Sequence, residues 1–156
     1  MFLMKIFLSV IFAAAMGYLE AAVVVYLREL YYPEGFHIKE KVGFPFIKFG
    51  LVEELKPFSK KLILTELGRE AATIIMLVAL SVIAGNSVKS YIAYFLLLFG
   101  IWDFFYYVFL KVILGWPESL STTDVYFLIP TPWIGPVWLP VLLSLIIIVV
   151  ALVIIL

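Results

Sequence analysis

The sequence has no cysteine, no glutamine, one asparagine and one histidine. Without cysteine the chain cannot form disulfides, thiolate metal sites or iron–sulfur clusters. The lone histidine, His37, excludes bis-histidine haem and the paired Glu-x-x-His motifs of di-iron bundles. The sequence also has no glycine-rich phosphate loop or dinucleotide fingerprint. We therefore expect no haem, iron–sulfur or nucleotide cofactor.

Charged residues are scarce as well. They make up 14% of the 156 residues, whereas 65% are hydrophobic and the mean hydropathy is +1.17. Soluble domains are roughly 45–50% apolar and 25% charged, and a small domain cannot hide so much apolar surface from water. A net charge of zero gives no electrostatic reason to expect nucleic acid as a partner. The composition predicts a single integral membrane domain, residues 1–156, with the lipid bilayer as its main partner.

Four apolar runs are long enough to be spanning helices, because about 20 residues cross roughly 30 Å of hydrocarbon. We predict an all-α, polytopic transmembrane bundle with spans at 6–27, 62–84, 89–112 and 137–156. Ser87 is expected to cap the third helix at its N-terminus.

Two further segments do not fit a spanning helix. The long loop 29–61 holds six of the eleven basic residues, which predicts a cytoplasmic loop in a multi-pass protein of the plasma membrane. Residues 125–136 contain Pro130, Pro132 and Pro136, which preclude a regular spanning helix. This proline-rich segment is expected to be interfacial or re-entrant.

Three of the predicted helices carry an acidic residue at a similar depth. Glu20 and Asp103 each lie seven residues from the loop-side end of their span, about 10 Å deep, and Glu70 lies roughly 8–12 Å deep. Ionisable groups in a membrane usually face the bundle interior and find partners there. We therefore expect these carboxyl groups to meet in a polar core that binds an ion or protons.

The second predicted helix carries a stripe of polar residues at helical spacing, which is the face expected to meet these partners. The stripe consists of Glu66, Arg69, Glu70 and Thr73. Tyr106 and Tyr107 lie one turn beyond the acid of the third helix and are secondary candidates, although such tyrosines are more often interface anchors.

The charges of this predicted core do not cancel. The three acids and the guanidinium of Arg69 leave a charge near −2 before Glu66 is counted. Such a charge does not persist in a low-dielectric layer, so the carboxyls are protonated or a cation binds. A hard divalent cation would suit oxygen ligands, with Glu20, Glu70 and Asp103 as the possible set. The plainer alternative is that Arg69 pairs with the acids and locks the bundle.

Small residues recur on one face of the first helix, at Ala13, Gly17 and Ala21. Such stripes let helices approach closely in lipid, so this face is a candidate contact for a homo-oligomer. Arg28 is interpreted as the boundary of the first span. Asp124, which ends a run of Ser and Thr residues, is interpreted as part of a helix cap.

The segment from Glu66 to Glu70 resembles the acidic, arginine-bearing helices of intramembrane CAAX-type proteases. Those enzymes also use histidines on later helices, and none follows His37 here, so we assign no family. Three functions fit the sequence. The first is a small membrane protein whose acid–arginine core binds or conducts a cation, a proton or a small polar solute. The second is a membrane-embedded enzyme, with or without a metal, acting on a lipid or isoprenoid. The third is a structural or accessory membrane subunit, so whether the chain is an enzyme stays open.

Overall fold

The structure, a computed structural model, describes residues 2–156 and is mostly helical. Within these residues it has four helices, each long and apolar enough to cross a membrane. They are α1 (Phe2–Tyr31), α2 (Lys60–Ala84), α3 (Val88–Leu114) and α4 (Trp138–Ile155). The four predicted helices are confirmed. The first is four residues longer than predicted at each end, because the helix continues through Lys5 at its start and through the charged turn at its C-terminus.

Local signals in the sequence set the ends of the two central helices. The Ser59 hydroxyl accepts a hydrogen bond from the backbone N–H of Leu62 at 3.1 Å at the start of α2. Ser87 caps α3 through a reciprocal capping box with Ser90. The C-cap of α3 is Gly115, whose left-handed backbone (φ 67°) suits a residue without Cβ.

Helix α3 is the centre of the bundle, since it packs against α1, α2 and α4. The core beside it includes Ala13, Leu77 and Leu98, which are fully buried. Two helices approach α3 at glycines. A Cβ on Gly17 would lie 2.8 Å from the carbonyl oxygen of Trp102, and a Cβ on Gly100 would lie 2.8 Å from a side-chain carbon of Ile148.

The small-residue stripe of α1 is used inside the chain. Ala13 and Ala21 are both fully buried, and Gly17 lies against the backbone of α3. Close approach of α1 and α3 therefore explains the stripe. The face that we predicted to contact a second copy is covered by the chain's own third helix.

The structure also contains a small antiparallel sheet, so the all-α prediction is corrected to a mostly helical fold. Its strands are β1 (Lys48–Phe49), β2 (Thr123–Phe127) and β3 (Trp133–Pro136), in the order β1-β3-β2. The proline-rich segment 125–136 forms most of the β2–β3 hairpin. Its first two prolines lie in the connection between the strands, and the third is the last residue of β3.

Residues 32–59 and 115–137 together form what we call the cap, over the end of the bundle where α1 and α3 finish and α2 and α4 begin. Val52, Leu55 and Ile134 form its apolar centre. At the other end of the bundle the side chain of Lys5 donates to the carbonyl of Ala84 at 2.9 Å. The two ends of the bundle therefore differ, and the buried charged side chains lie at the cap end.

Candidate functional site

A cavity of about 110 Å³ lies where the cap meets α1, α2 and α3. We call it the acid–arginine cavity after the side chains that line it. Its ionisable lining residues are Glu20, Arg28, Glu66, Arg69, Glu70, Asp103, Tyr106, Tyr107, Asp124 and Tyr126. Every residue predicted for the polar core lines this cavity except Thr73, whose hydroxyl donates to the Arg69 carbonyl at 3.1 Å.

Arg69 links two helices at one wall of the cavity. Its guanidinium pairs with Glu20 of α1 and, one turn back on α2, with Glu66 at 2.8 Å. The planar guanidinium can donate to two carboxylates at once, which a lysine ammonium does less well. All three side chains are largely buried, so this triad links α1 to α2 through side chains within the predicted core.

Glu70 connects α2 to the cap. The backbone N–H of Leu128, just past β2, donates to both carboxyl oxygens of Glu70 at 2.9 and 3.0 Å. A buried backbone donor at the end of a strand needs a partner, and this carboxyl supplies one. The contact fixes the β2–β3 hairpin above the helices.

Asp103 connects α3 to α4. The hydroxyl of Ser144 on α4 donates to its Oδ2 at 2.6 Å. Glu20, Glu70 and Asp103 therefore each have a different partner. Within residues 2–156 no group of three His, Cys, Asp or Glu side chains is arranged to hold a metal ion. The geometry does not gather the three acids that we considered as a divalent cation site.

The cavity wall contains a second buried ion pair, which the sequence analysis did not predict. Arg28, at the end of α1, pairs with Asp124 of β2 at 3.4 Å, and the Tyr107 hydroxyl donates to the other Asp124 oxygen at 3.0 Å. The guanidinium also lies 3.7 Å from the ring centroid of Trp116, a cation–π contact. Asp124 is therefore a strand residue in a buried network, and the helix-cap interpretation is wrong.

A signal for this network was present in the sequence. Thr123 to Phe127 is rich in β-branched and aromatic residues, which is typical of a strand. Had the strand been assigned, Asp124 would have stood out as a buried acid needing a cation. Nothing local identifies Arg28 as that cation, because the two residues are 96 positions apart.

Two cavity residues that lie outside the helices, Asp124 and Tyr126, have raised pKa values. Burial raises the pKa of Asp124, although the charge of Arg28 and the hydrogen bond from Tyr107 act in the opposite direction. Burial also raises the pKa of Tyr126, with the nearby charges of Asp124 and Asp103 adding to the effect. Desolvation penalises the charged form of each group, so this wall of the cavity favours bound protons.

The cavity has more acids than bases. Five carboxyl groups and two guanidinium groups line it, a formal surplus of three negative charges if all are ionised. Two donors in its wall, the Nη1 of Arg28 and the indole N–H of Trp102, are buried and lack a partner among residues 2–156. The volume suffices for a few waters or a small solute. The chain matches no protein-family model, no curated protein and no solved structure in comparisons with each.

Proposed function

We propose that the four helices span the plasma membrane and that the cap faces the cytoplasm. Large apolar side chains are exposed along α1, α2 and α4, as lipid contact requires, whereas those of the central helix α3 are exposed only near its two ends. Eight of the eleven basic residues lie in the cap or at the adjoining helix ends, while Lys5 and Lys89 lie at the other end. A surplus of basic residues marks the cytoplasmic side of a membrane protein.

We infer that the acid–arginine cavity binds positive charge, as protons or as a small cation. The surplus of buried carboxyl groups is the observation that carries this proposal. Glu70 is 8% exposed and forms no ion pair within residues 2–156, so neither bulk water nor a guanidinium compensates its charge. Isolated buried charges cost several kcal/mol each, roughly, and such groups are neutralised by a proton or a counter-ion.

The geometry favours binding from the cap side over conduction through the whole bundle. Beyond Asp103, toward the other end, the packed core includes the fully buried apolar residues Ala13, Leu77 and Leu98. A small polar solute that donates hydrogen bonds would suit the same cavity. A purely structural cluster would need neither a cavity nor a surplus of acids, so binding fits better.

The test measures how pH and added cations change the thermal stability of the full chain in lipid nanodiscs. Glu70→Gln and Asp103→Asn keep an acceptor for Leu128 and Ser144 but cannot ionise. We expect each to weaken the dependence of the melting temperature on pH or cations, because each removes one titrating group. Glu34→Gln, at an exposed cap residue that forms no ion pair within residues 2–156, is the matched control and should respond like the wild type. If the melting temperatures of both cavity variants respond to pH and cations as the wild type does, the proposal is wrong.

A further inference from the structure

A second cavity, of about 180 Å³, lies beside the first between α3, α4 and the β2–β3 hairpin. Its lining is mostly apolar and includes Phe99, Leu143 and Ile147. Asp103, with Tyr126 and Phe127, lines both cavities. An acidic cavity and an apolar cavity therefore share one wall, and a membrane-embedded carboxyl group lies in that wall.

The apolar cavity lies at the outer surface of the bundle. Leu143 is 47% exposed, and its neighbours Leu142 and Leu145 are exposed on the same helix. If α4 spans the membrane, this surface faces hydrocarbon rather than water. A ligand of the apolar cavity would then come sideways from the bilayer, past the exposed side chain of Leu143 that lines the cavity.

The charges around the wall that the two cavities share determine which polar head group such a ligand can have. Both guanidinium groups already pair with carboxylates, Arg69 with two and Arg28 with one through its Nη2, and only Nη1 of Arg28 lacks a partner among residues 2–156. A phosphate or carboxylate head would meet the acid surplus and be repelled. Within residues 2–156 Ser144 is the one side chain that donates to Asp103, at Oδ2, so Oδ1 is left to accept from a ligand.

We propose that the ligand of this site is a membrane amphiphile with an apolar chain and a head that donates hydrogen bonds, an ammonium or a hydroxyl group. The chain lies in the apolar cavity, and the head lies at Asp103 and reaches the acid–arginine cavity. This inference rests on the proposed function, since it names the positive or donor group that the acidic cavity binds.

The test is photolabelling of the full chain in lipid nanodiscs with a long-chain amine that carries a diazirine on its chain. Mass spectrometry should locate the label on residues that line the apolar cavity, such as Phe99 or Ile147. Unlabelled decylamine and decanol should compete with the probe, whereas decanoate should not, because its carboxylate is repelled. Equal competition by decanoate would overturn the inference.

Two variants separate a specific site from simple partition into lipid. Leu143→Trp fills the mouth of the apolar cavity, while Leu142→Trp makes the same change at a neighbouring residue that lines neither cavity. We expect labelling to fall about tenfold in Leu143→Trp, equivalent to ~1.4 kcal/mol of binding free energy, and to stay unchanged in Leu142→Trp. Equal labelling of both variants would mean partition into lipid only and would overturn the inference.

The outcomes also separate this inference from the function on which it rests. If labelling is unspecific but the cation and pH responses of Glu70→Gln and Asp103→Asn remain altered, the amphiphile is rejected and the binding of positive charge stands. If the label locates to the apolar cavity while those responses match the wild type, the apolar site stands without the acidic one. The inference as stated is then overturned.

Discussion

Asp124 is a residue at which burial and pairing oppose each other. Its carboxyl faces Arg28 and Tyr107, yet desolvation outweighs both and raises its pKa. A carboxyl whose pKa is higher in the folded than in the unfolded chain binds its proton more tightly when folded. Its contribution to stability is therefore complete below the unfolded pKa and is lost as the pH rises through the folded pKa.

The variant Asp124→Asn tests whether this carboxyl group stabilises the fold less as the pH rises. The variant cannot titrate at this position, so the wild type should lose free energy of unfolding relative to the variant as the pH rises from about 4 to 8. The measurement is the difference in unfolding free energy between the two proteins at several pH values, which cancels any constant cost of the amide. A difference that moves in favour of the wild type with rising pH would show that the Arg28 pair dominates instead.

At the scale of single residues, the sequence predicted which side chains line the cavity better than it predicted their partners. Depth follows from the rise of 1.5 Å per residue, so a shared level for Glu20, Glu70 and Asp103 could be inferred without coordinates. Partners depend on the cap, since Glu70 binds the backbone of Leu128 and Asp124 comes from a strand. Nothing in the helical pattern indicates either contact.

Among the elements, α1 and α3 depend on the absence of a side chain at one point of contact. We expect Gly17→Ala to destabilise the protein, because its Cβ would lie 2.8 Å from a backbone oxygen that cannot rotate away. Overpacking of this kind costs about 1–3 kcal/mol. Reversible unfolding in mixed micelles, or the melting temperature in nanodiscs, measures the effect.

Gly68→Ala is the matched control on α2. A Cβ there meets nothing within 4 Å, so the variant should be neutral or gain up to about 1 kcal/mol from helix propensity. A similar loss of stability at both glycines would mean that backbone freedom, not the close contact with α3, explains Gly17. A loss at Gly68 alone would contradict the packing of the bundle.

The four helices were predictable because each apolar run is long, and the sheet was not. Three prolines in 125–136 argue against a helix, but they do not reveal that the segment pairs with Lys48–Phe49. That pairing is non-local and covers two residues of β1. A two-residue strand carries no usable alternation of polar and apolar residues.

The molecule as a whole has its polar groups concentrated at the cap end, and the rest of the helical bundle has an apolar core. The cap, the two buried ion-pair networks and the excess of basic residues all lie toward the same end. In the orientation we propose, the acid–arginine cavity sits between the cytoplasmic cap and the hydrocarbon, and the apolar cavity connects it to the bilayer.

The protonation of the cavity can be measured directly by infrared spectroscopy of the full chain in lipid bilayers, after chelation of bound metal ions. The C=O stretch of protonated carboxyl groups is the signal. We predict that this band is present at neutral pH, shrinks when the pH is raised or a cation is added, and is weaker in Asp103→Asn than in the control Glu34→Gln. No such band at neutral pH, and no change in the carboxylate signal on adding cations, would contradict the binding of positive charge in this cavity.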